Sequence, residues 1–494
     1  MKTERLFLYV FVTWLFIVPG CSKDDVSSDV ISALSLELTD PEKINKFIVD
    51  CTQEVYLWEA LTDWREYNNY DVYHAYSGKK ELHYELFDAL LYEDDQWSTL
   101  TEDVDGLQSS LQGISTTYGY TLLYGKFSDT DNYFAIILYI YPGAPAENAG
   151  LKRGDIIVGI NGGDITSSNY SDLYYSSSVS LRLGYVNASG AISLKPGSVD
   201  IVAVEMYENP INTVRIIEKK DHKIGYLCYT DYVNTSEREL LDVFAGFKAE
   251  GVTDVVLDLR YNGGGHAVTA RFLSSILAPR AVVKNKEVYL TQKWNDLYDL
   301  YWQKQGRTNN EYFMDTLSVN MDLDRVYVLV TENTASASEA TIIGLKPYMD
   351  VVLVGGTTHG KYYGGYLLSI DDYYEGASDY NREQYLNISN WGMYIMVYRY
   401  ANKNNYPDFS GGLAPDRDLA IEEDYLALKP FGDEADPLLG KALEKITGEK
   451  FVANRSLASG SLPPYTIFPD MEYRSIARKN MIHNAPLPTG LKAE

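Results

Sequence analysis

The chain has 494 residues, too many for one ordinary globular domain, so two to four domains are expected. Hydrophobic residues make up 45% and charged residues 23%, which supplies buried cores and argues against disorder. Lys and Arg total 43 against 69 Asp and Glu, a formal net charge of −26, and so acidic a surface excludes a general nucleic-acid binder, which needs a basic face for phosphates. Three cysteines (Cys21, Cys51 and Cys228) make no disulfide framework. None of the six histidines falls in HExxH or CxxC/HxxxH spacing, so neither a metal nor another cofactor is expected. The 43 tyrosines read as the decoration of an exported protein's surface rather than as a ligand-stacking device.

At the N-terminus Lys2 and Arg5 precede an apolar run, Leu6–Val18, which suits the core of a signal peptide over 1–20 and is too short to span a bilayer comfortably. The run closes on Val18-Pro19-Gly20-Cys21, which resembles a bacterial lipobox despite the proline. That resemblance implies that Cys21 is lipidated, becomes the first mature residue and tethers the protein to a membrane. Ser22-Lys23-Asp24-Asp25 resembles the short export signal of surface lipoproteins in some Gram-negative bacteria, which implies a surface-exposed, outer-membrane location in the cell envelope.

Residues 21–40 are Ser/Asp-rich and read as a tether. Asp40-Pro41-Glu42 then opens a helix, with Asp40 as its cap and Pro at the first helical position. Ile44, Phe47, Ile48, Cys51, Val55 and Trp58 recur at helical spacing, so 41–102 reads as a helical region and Cys51 as core. Residues 103–208 read as a β-rich module. A buried strand, Phe134–Tyr141, runs into Pro142-Gly-Ala-Pro-Ala-Glu-Asn-Ala-Gly-Leu151, where Gly150 ends a short helix. Arg153-Gly154-Asp155-Ile156-Ile157 turns into a strand, and Asn161-Gly162 marks a hairpin. This run resembles a PDZ domain of the bacterial protease-associated type. Such a domain implies β-augmentation, in which a peptide C-terminus joins a sheet edge, with Tyr118, Gly119 and Tyr120 in the carboxylate-binding loop.

Residues 209–450 carry the chemistry. Strands are predicted at Lys223–Tyr229, Val255–Arg260, Val326–Val330 and Val351–Val354, with helices at Glu237–Glu250 and near Val268–Leu277. The alternation argues for an α/β core. The second strand ends in Tyr261-Asn262-Gly263-Gly264-Gly265, whose backbone N–H groups suit an anion or oxyanion. The third leads into Thr331–Ala340, a run of small residues opening a helix, where a nucleophile gains from the helix dipole. Tyr425–Lys445 reads as a covering helix, and 451–494 as a loosely ordered tail.

Asp258-Leu-Arg-Tyr-Asn-Gly-Gly-Gly265, Thr334-Ala-Ser-Ala-Ser-Glu339 and Thr358-His-Gly-Lys361, in that order after a PDZ module, resemble the motifs of the S41 peptidases, the C-terminal processing proteases. The resemblance implies a multidomain α/β protein with a crotonase-like peptidase core, Ser336 as nucleophile and Lys361 as its base, 25 positions on (361 − 336). It also implies a protein or peptide substrate with a free C-terminus. Two positions depart from the family pattern: Thr334 replaces its first motif serine, and Gly365 stands where many members carry a lysine-orienting glutamine. Gly411-Gly-Leu-Ala-Pro-Asp416 resembles a further family segment and is assigned no chemistry.

A serine attacks only when a base takes its proton, and a lysine does so only as the neutral amine, rare at pH 7 when its pKa is near 10.4. Lys361 is therefore expected to be buried, with no carboxylate beside it. His359 is a rival base, read more simply as a loop residue, and Ser338 reads as a helix-terminus residue. The oxyanion falls to the Ala337 N–H and one from the glycine turn, with Gly264 the choice. A serine endopeptidase and a catalytically silent peptide-binding lipoprotein scaffold both stay open, with the paired Ser336 and Lys361 favouring the enzyme.

Overall fold

The computed structural model describes residues 37–377, 380–405, 409–452, 465–468, 481–482 and 487–491. The expected signal peptide, Cys21 and residues 22–36 of the tether lie outside the described residues, as does most of 451–494. The architecture is mixed α/β, with a helical N-terminal region, a β-rich module and an α/β core, as the sequence predicts.

Helix α1 (Asp40–Val55) includes Asp40 as its first residue rather than as its cap, with Pro41 in the first turn, where a missing N–H costs nothing. Ile44, Phe47, Ile48, Cys51 and Val55 are buried as expected, while Trp58 packs on the same core from beyond the helix end. Helix α2 (Lys80–Leu90) packs on α1. Strand β1 (Thr99–Thr101) then pairs antiparallel with a strand of the core, Thr99 opposite Tyr394. The apolar face of α1 shares one hydrophobic cluster with core residues such as Leu257 and Tyr394, so this region completes the catalytic body's core rather than building its own.

The module contains β2 (Tyr120–Phe127), β3 (Tyr133–Ile140), the single-turn helix α3 (Pro145–Asn148), β4 (Ile156–Ile160), the single-turn helix α4 (Asp172–Tyr175) and β5 (Ser178–Val186). The strands run antiparallel in the order β2-β3-β4-β5. Asn161 and Gly162 both have positive φ, 52° and 82°, the tight hairpin turn that Asn-Gly predicts. The tyrosines correct the expectation of a surface decoration: Tyr118, Tyr124, Tyr139, Tyr141, Tyr226, Tyr229 and Tyr232 are among the largest fully buried side chains. Their bodies fill cores while hydroxyls find partners inside, as Tyr226 does on Asp258 (2.6 Å) and Tyr141 on Asp231 (2.9 Å).

In the core, β6 (Ile211–Lys219) and β7 (His222–Tyr229) form an antiparallel pair. Helix α5 (Glu237–Ala249), strand β8 (Asp254–Asp258), helix α6 (Ala267–Leu277), strand β9 (Arg325–Val330), helix α7 (Ala337–Leu345) and strand β10 (Asp350–Gly355) follow. The sheet order is β6-β7-β8-β9-β10, parallel from β7 onward. Because β8 and β9 are parallel neighbours, the glycine turn after one lies beside the small-residue turn after the other, at the carboxyl end of the sheet where α/β folds place their sites. A second sheet contains β11 (Tyr363–Ser369) antiparallel to β12 (Gly392–Ala401), the partner of β1.

The expected covering helix at Tyr425–Lys445 is shorter and later, α8 (Pro437–Thr447). Pro430 and Gly432 interrupt the earlier part, and Asp436 caps the helix by accepting from Leu438 and Leu439 N–H. The expected loose tail is also corrected where it is described. Strand β13 (Tyr465–Phe468) pairs antiparallel with β2, Tyr465 opposite Phe127 and Phe468 opposite Tyr124. Met481 and Ile482 pair with Gly265 and His266. Tyr298 donates to the Pro488 carbonyl at 2.6 Å, and the Leu491 N–H donates to Glu54 Oε1 at 2.8 Å.

Candidate active site

The turn after β9 is sewn to the turn after β8 by short polar side chains. Thr334 Oγ1 donates to the Leu259 carbonyl (2.8 Å), Ser338 Oγ to the Asn262 carbonyl (3.0 Å), and the Ala335 N–H to that same carbonyl (3.1 Å). Thr334 and Ser338 thus brace the turn, which supports the reading of Ser338 as structural. Ser336 stands at the start of α7 with φ 59° and ψ −111°, a region L-residues rarely adopt and a conformation that stores strain. Its Oγ is buried and has no hydrogen-bond partner among the described residues. A hydroxyl without a partner on a strained turn at a helix start is free to meet a base and an incoming group.

Sequence reading missed the part played by Glu339. This buried carboxylate accepts from the Ser336 N–H (2.8 Å) and the Lys361 N–H (2.9 Å) on one oxygen. Its other oxygen accepts from Thr358 Oγ1 (2.6 Å) and the Gly360 N–H (2.7 Å). The Ser336 and Lys361 amide nitrogens therefore lie within the sum of two hydrogen bonds of each other. Tyr400, from β12, closes the opposite side, its hydroxyl 2.9 Å from both the Ser336 and the Lys361 carbonyl oxygens. The signal for Glu339 was present as the last letter of its motif; that for Tyr400 was absent, since it comes from another sheet.

Lys361 is fully buried, and burial pushes its amine down to about 7 against the opposing pull of Asp95 and Glu339. The expectation of no nearby carboxylate is thus corrected. Both are committed elsewhere: Glu339 to the four donors above, Asp95 to Tyr56 Oη (2.8 Å) and the Trp97 and Ser98 N–H groups (2.9 and 3.0 Å). Burial also pushes Glu339 up to about 7, against those donors. His359 is exposed, whereas Lys361 two residues later is buried. Residues 410–413 support that loop. The Leu413 N–H donates to Thr358 Oγ1 (2.8 Å), and a Cβ at Gly360 would fall 2.4 Å from the Ser410 carbonyl oxygen.

Of the expected oxyanion donors, Ala337 is the first residue of α7, where an N–H has no helical partner. Gly264 (φ 122°) lies against it: a Cβ there would be 2.9 Å from Ser336 Cβ and 3.2 Å from Ala337 N. The Gly264 N–H itself donates to Asn262 Oδ1 at 2.9 Å, so it can serve an oxyanion only by giving up that bond. Beneath the turn, buried Arg260 binds Asp258 (2.8 Å), Glu423 (2.7 Å) and Asp436 (2.8 Å). Arg153 of the module joins Glu423 at 2.6 Å.

The residues of the expected peptide loop are engaged in hydrogen bonds within the module. Tyr118 and Tyr120 are buried, the Tyr120 hydroxyl donating to the Leu173 carbonyl at 2.6 Å and the Tyr118 hydroxyl to that of Ser176. The Gly119 N–H is held by Thr117 Oγ1 (2.9 Å) and the Leu122 N–H by the Tyr174 hydroxyl (2.8 Å). Tyrosines thus fill the space between β2 and α4.

Residues 223–419 match the family model for peptidase family S41, and residues 136–175 match that for the PDZ domain. The core is thus the part of the chain similar to the S41 peptidases. The carboxy-terminal processing protease CtpA of Bacillus subtilis (strain 168) is 27% identical over 246 residues, 49% of this chain and 47% of its own length. A CtpA-like serine protease assignment from Staphylococcus aureus (strain N315) is 29% identical over 219 residues, 44% of this chain and 40% of its own. The chain therefore matches less than half the length of these curated relatives. A crystal structure from Bacteroides fragilis NCTC 9343, assigned to the S41 proteases, is 26% identical with a TM-score of 0.64, covering 81% of this chain and 97% of that one.

Proposed function

We propose that the protein is a serine endopeptidase of the C-terminal processing type, cleaving protein or peptide substrates with a Ser336–Lys361 dyad. The reading is carried by the strained, unpartnered Ser336 hydroxyl, joined through one Glu339 oxygen to the backbone of a buried, easily neutralised lysine. Neutral Lys361 takes the hydroxyl proton as Oγ attacks the scissile carbonyl. The Ala337 N–H receives the developing oxyanion, with Gly264 as second donor once its bond to Asn262 is released. The ammonium then protonates the leaving amine, and water repeats the cycle on the acyl-enzyme. Presentation of a substrate C-terminus by the PDZ module belongs to the same reading and requires β13 or the tyrosine plug to move first. We also propose that Cys21 carries lipid and anchors the protein at the outer membrane; unchanged membrane partition of Cys21→Ser would sink that part.

The decisive experiment exposes purified chain lacking residues 1–21 to a fluorophosphonate probe and to unfolded protein. Labelling of the parent at Ser336, absent in Ser336→Ala, supports the enzyme. No labelling and no hydrolysis from neutral to alkaline pH favours the silent scaffold.

A further inference from the structure

A buried base has to be held still. A lysine side chain gives up much rotamer freedom when it is fixed, and something must define where its amine stops. Lys361 Nζ lies 5.6 Å from the centroid of the Trp97 ring and 5.7 Å from that of Tyr394, within range of both faces. The two rings come from segments that the fold locks together. Trp97 precedes β1, and Thr99 in β1 is paired with Tyr394 itself. Asp95 fixes the approach by accepting the Trp97 and Ser98 N–H groups, and the Ser98 hydroxyl accepts from the Met396 N–H at 3.0 Å. On its outer side Trp97 packs against Tyr363, centroids 5.0 Å apart.

Gly365 shows what these rings displace. A Cβ there would lie 2.6 Å from Tyr394 Cζ and 2.8 Å from the Ile395 carbonyl oxygen. A side chain at position 365 would run into the Tyr394 ring, one of the two rings that face the amine. We propose that Trp97 and Tyr394 are the positioning residues of Lys361, their ring faces fixing the amine and receiving the ammonium formed when it deprotonates Ser336. In that step the Ser336 O–H bond breaks, the proton goes to Nζ, and Oγ bonds to the carbonyl carbon while the carbonyl π pair moves onto its oxygen as the oxyanion. The positive charge appears on a fully buried side chain, where the negative face of an aromatic ring interacts more strongly with ammonium than with amine. The other charged groups acting on the amine, Asp95 and Glu339, pull in the same direction.

The inference rests on the Ser–Lys reading, and its test separates the two. In a Ser336→Ala chain carrying ¹³C-lysine, the Lys361 ε signal, assigned by its loss in Lys361→Arg, is titrated without any turnover. Trp97→Leu keeps an apolar wall but removes the quadrupole, and should lower the titration midpoint by about one pH unit. Trp97→Phe should restore most of it, and Tyr394→Phe, which keeps its ring, should leave it nearly unchanged. In the Ser336 chain, the plateau rate of fluorophosphonate labelling above the midpoint should fall about tenfold in Trp97→Leu and recover in Trp97→Phe. An unmoved or raised midpoint in Trp97→Leu overturns the proposal, as does a Tyr394→Phe chain as impaired as Trp97→Leu. Trp97 is only half-buried, and the Phe variant keeps the test readable if Leu impairs folding. If the parent is not labelled at any pH, the peptidase reading falls while the titration still decides this one.

Discussion

The dyad and the PDZ groove are both places where an incoming peptide would need polar groups left for it, and the chain treats them oppositely. At the dyad a buried hydroxyl is left without a partner on strained backbone, a combination that costs roughly 1–3 kcal/mol for the orphaned group alone. In the groove the corresponding groups are satisfied: the Gly119 and Leu122 N–H groups by side chains, and the outer edge of β2 by β13. On the proposed reading, the difference is between a site whose hydroxyl is left for a reactant and one whose polar groups are already engaged. A peptide can add to β2 only in exchange for contacts the chain already makes to itself.

The comparison breaks most completely if the dyad is not reactive. Ser336→Ala and Lys361→Ala should each lower hydrolysis of unfolded protein by about 10³-fold or more, and the double variant should lose little beyond either, because the two act as a unit. Lys361→Arg should fail equally, since guanidinium gives up no proton at working pH. Near-parental rates in Lys361→Ala would remove the lysine from the mechanism.

Glu339→Gln sharpens the view of the dyad as a held geometry. The amide would turn an NH₂ toward donors that now share a carboxylate, from Ser336, Thr358, Gly360 and Lys361. Labelling of Ser336 should fall about 10–100-fold, with thermal unfolding of the purified variant showing a loss of about 1–3 kcal/mol. Full activity would mean that the carboxylate only fills space.

The pH profile is a smaller test. In the proposed mechanism Lys361 works as the neutral amine, so rate should be low where it is protonated and rise with pH, with a midpoint near its depressed value of about 7. Glu339, pushed up to about 7, gains its proton over the same range as pH falls, so both changes oppose activity in acid. A rise centred near the ordinary lysine value of 10.5 would show that burial does not govern the amine. His359→Ala should leave the midpoint where it is, its ring being exposed.

Much of this was legible from local pattern. The alternating strands and helices of the core, the Asn161-Gly162 hairpin and the small-residue turn bearing Ser336 each follow from residues near in sequence. What was not legible comes from far away in the chain. Trp97, Tyr394 and Tyr400 reach the dyad only because β1 and β12 lie in a second sheet beside it. Arg260 could be seen in its motif, but its partners Glu423 and Asp436 could not, since a buried cation names its need for carboxylates without naming them. The covering helix was misplaced because apolar spacing continued across Pro430 and Gly432, and the tyrosines because a phenol reads as surface until its hydroxyl finds an internal partner.

The smallest expected effect tests the closed state of the groove. Thr466→Pro with Ile467→Pro removes two N–H groups from β13 and should release it from β2, leaving the dyad untouched because neither residue contacts the site. Tyr174→Phe separately removes the hydroxyl that holds the Leu122 N–H. Each change should raise affinity for a peptide with a free, apolar C-terminus several-fold, a gain limited to about 1 kcal/mol because one satisfied edge is exchanged for another. Hydrolysis of a small ester should not change. Fluorescence anisotropy with the free-acid peptide and its C-terminal amide reads the binding. A gain confined to the free acid supports a PDZ groove that its own chain holds shut. If both variants bind neither peptide better while ester hydrolysis falls, the contact between β13 and β2 is bracing the peptidase domain, and the contrast between a ready site and a closed one no longer holds.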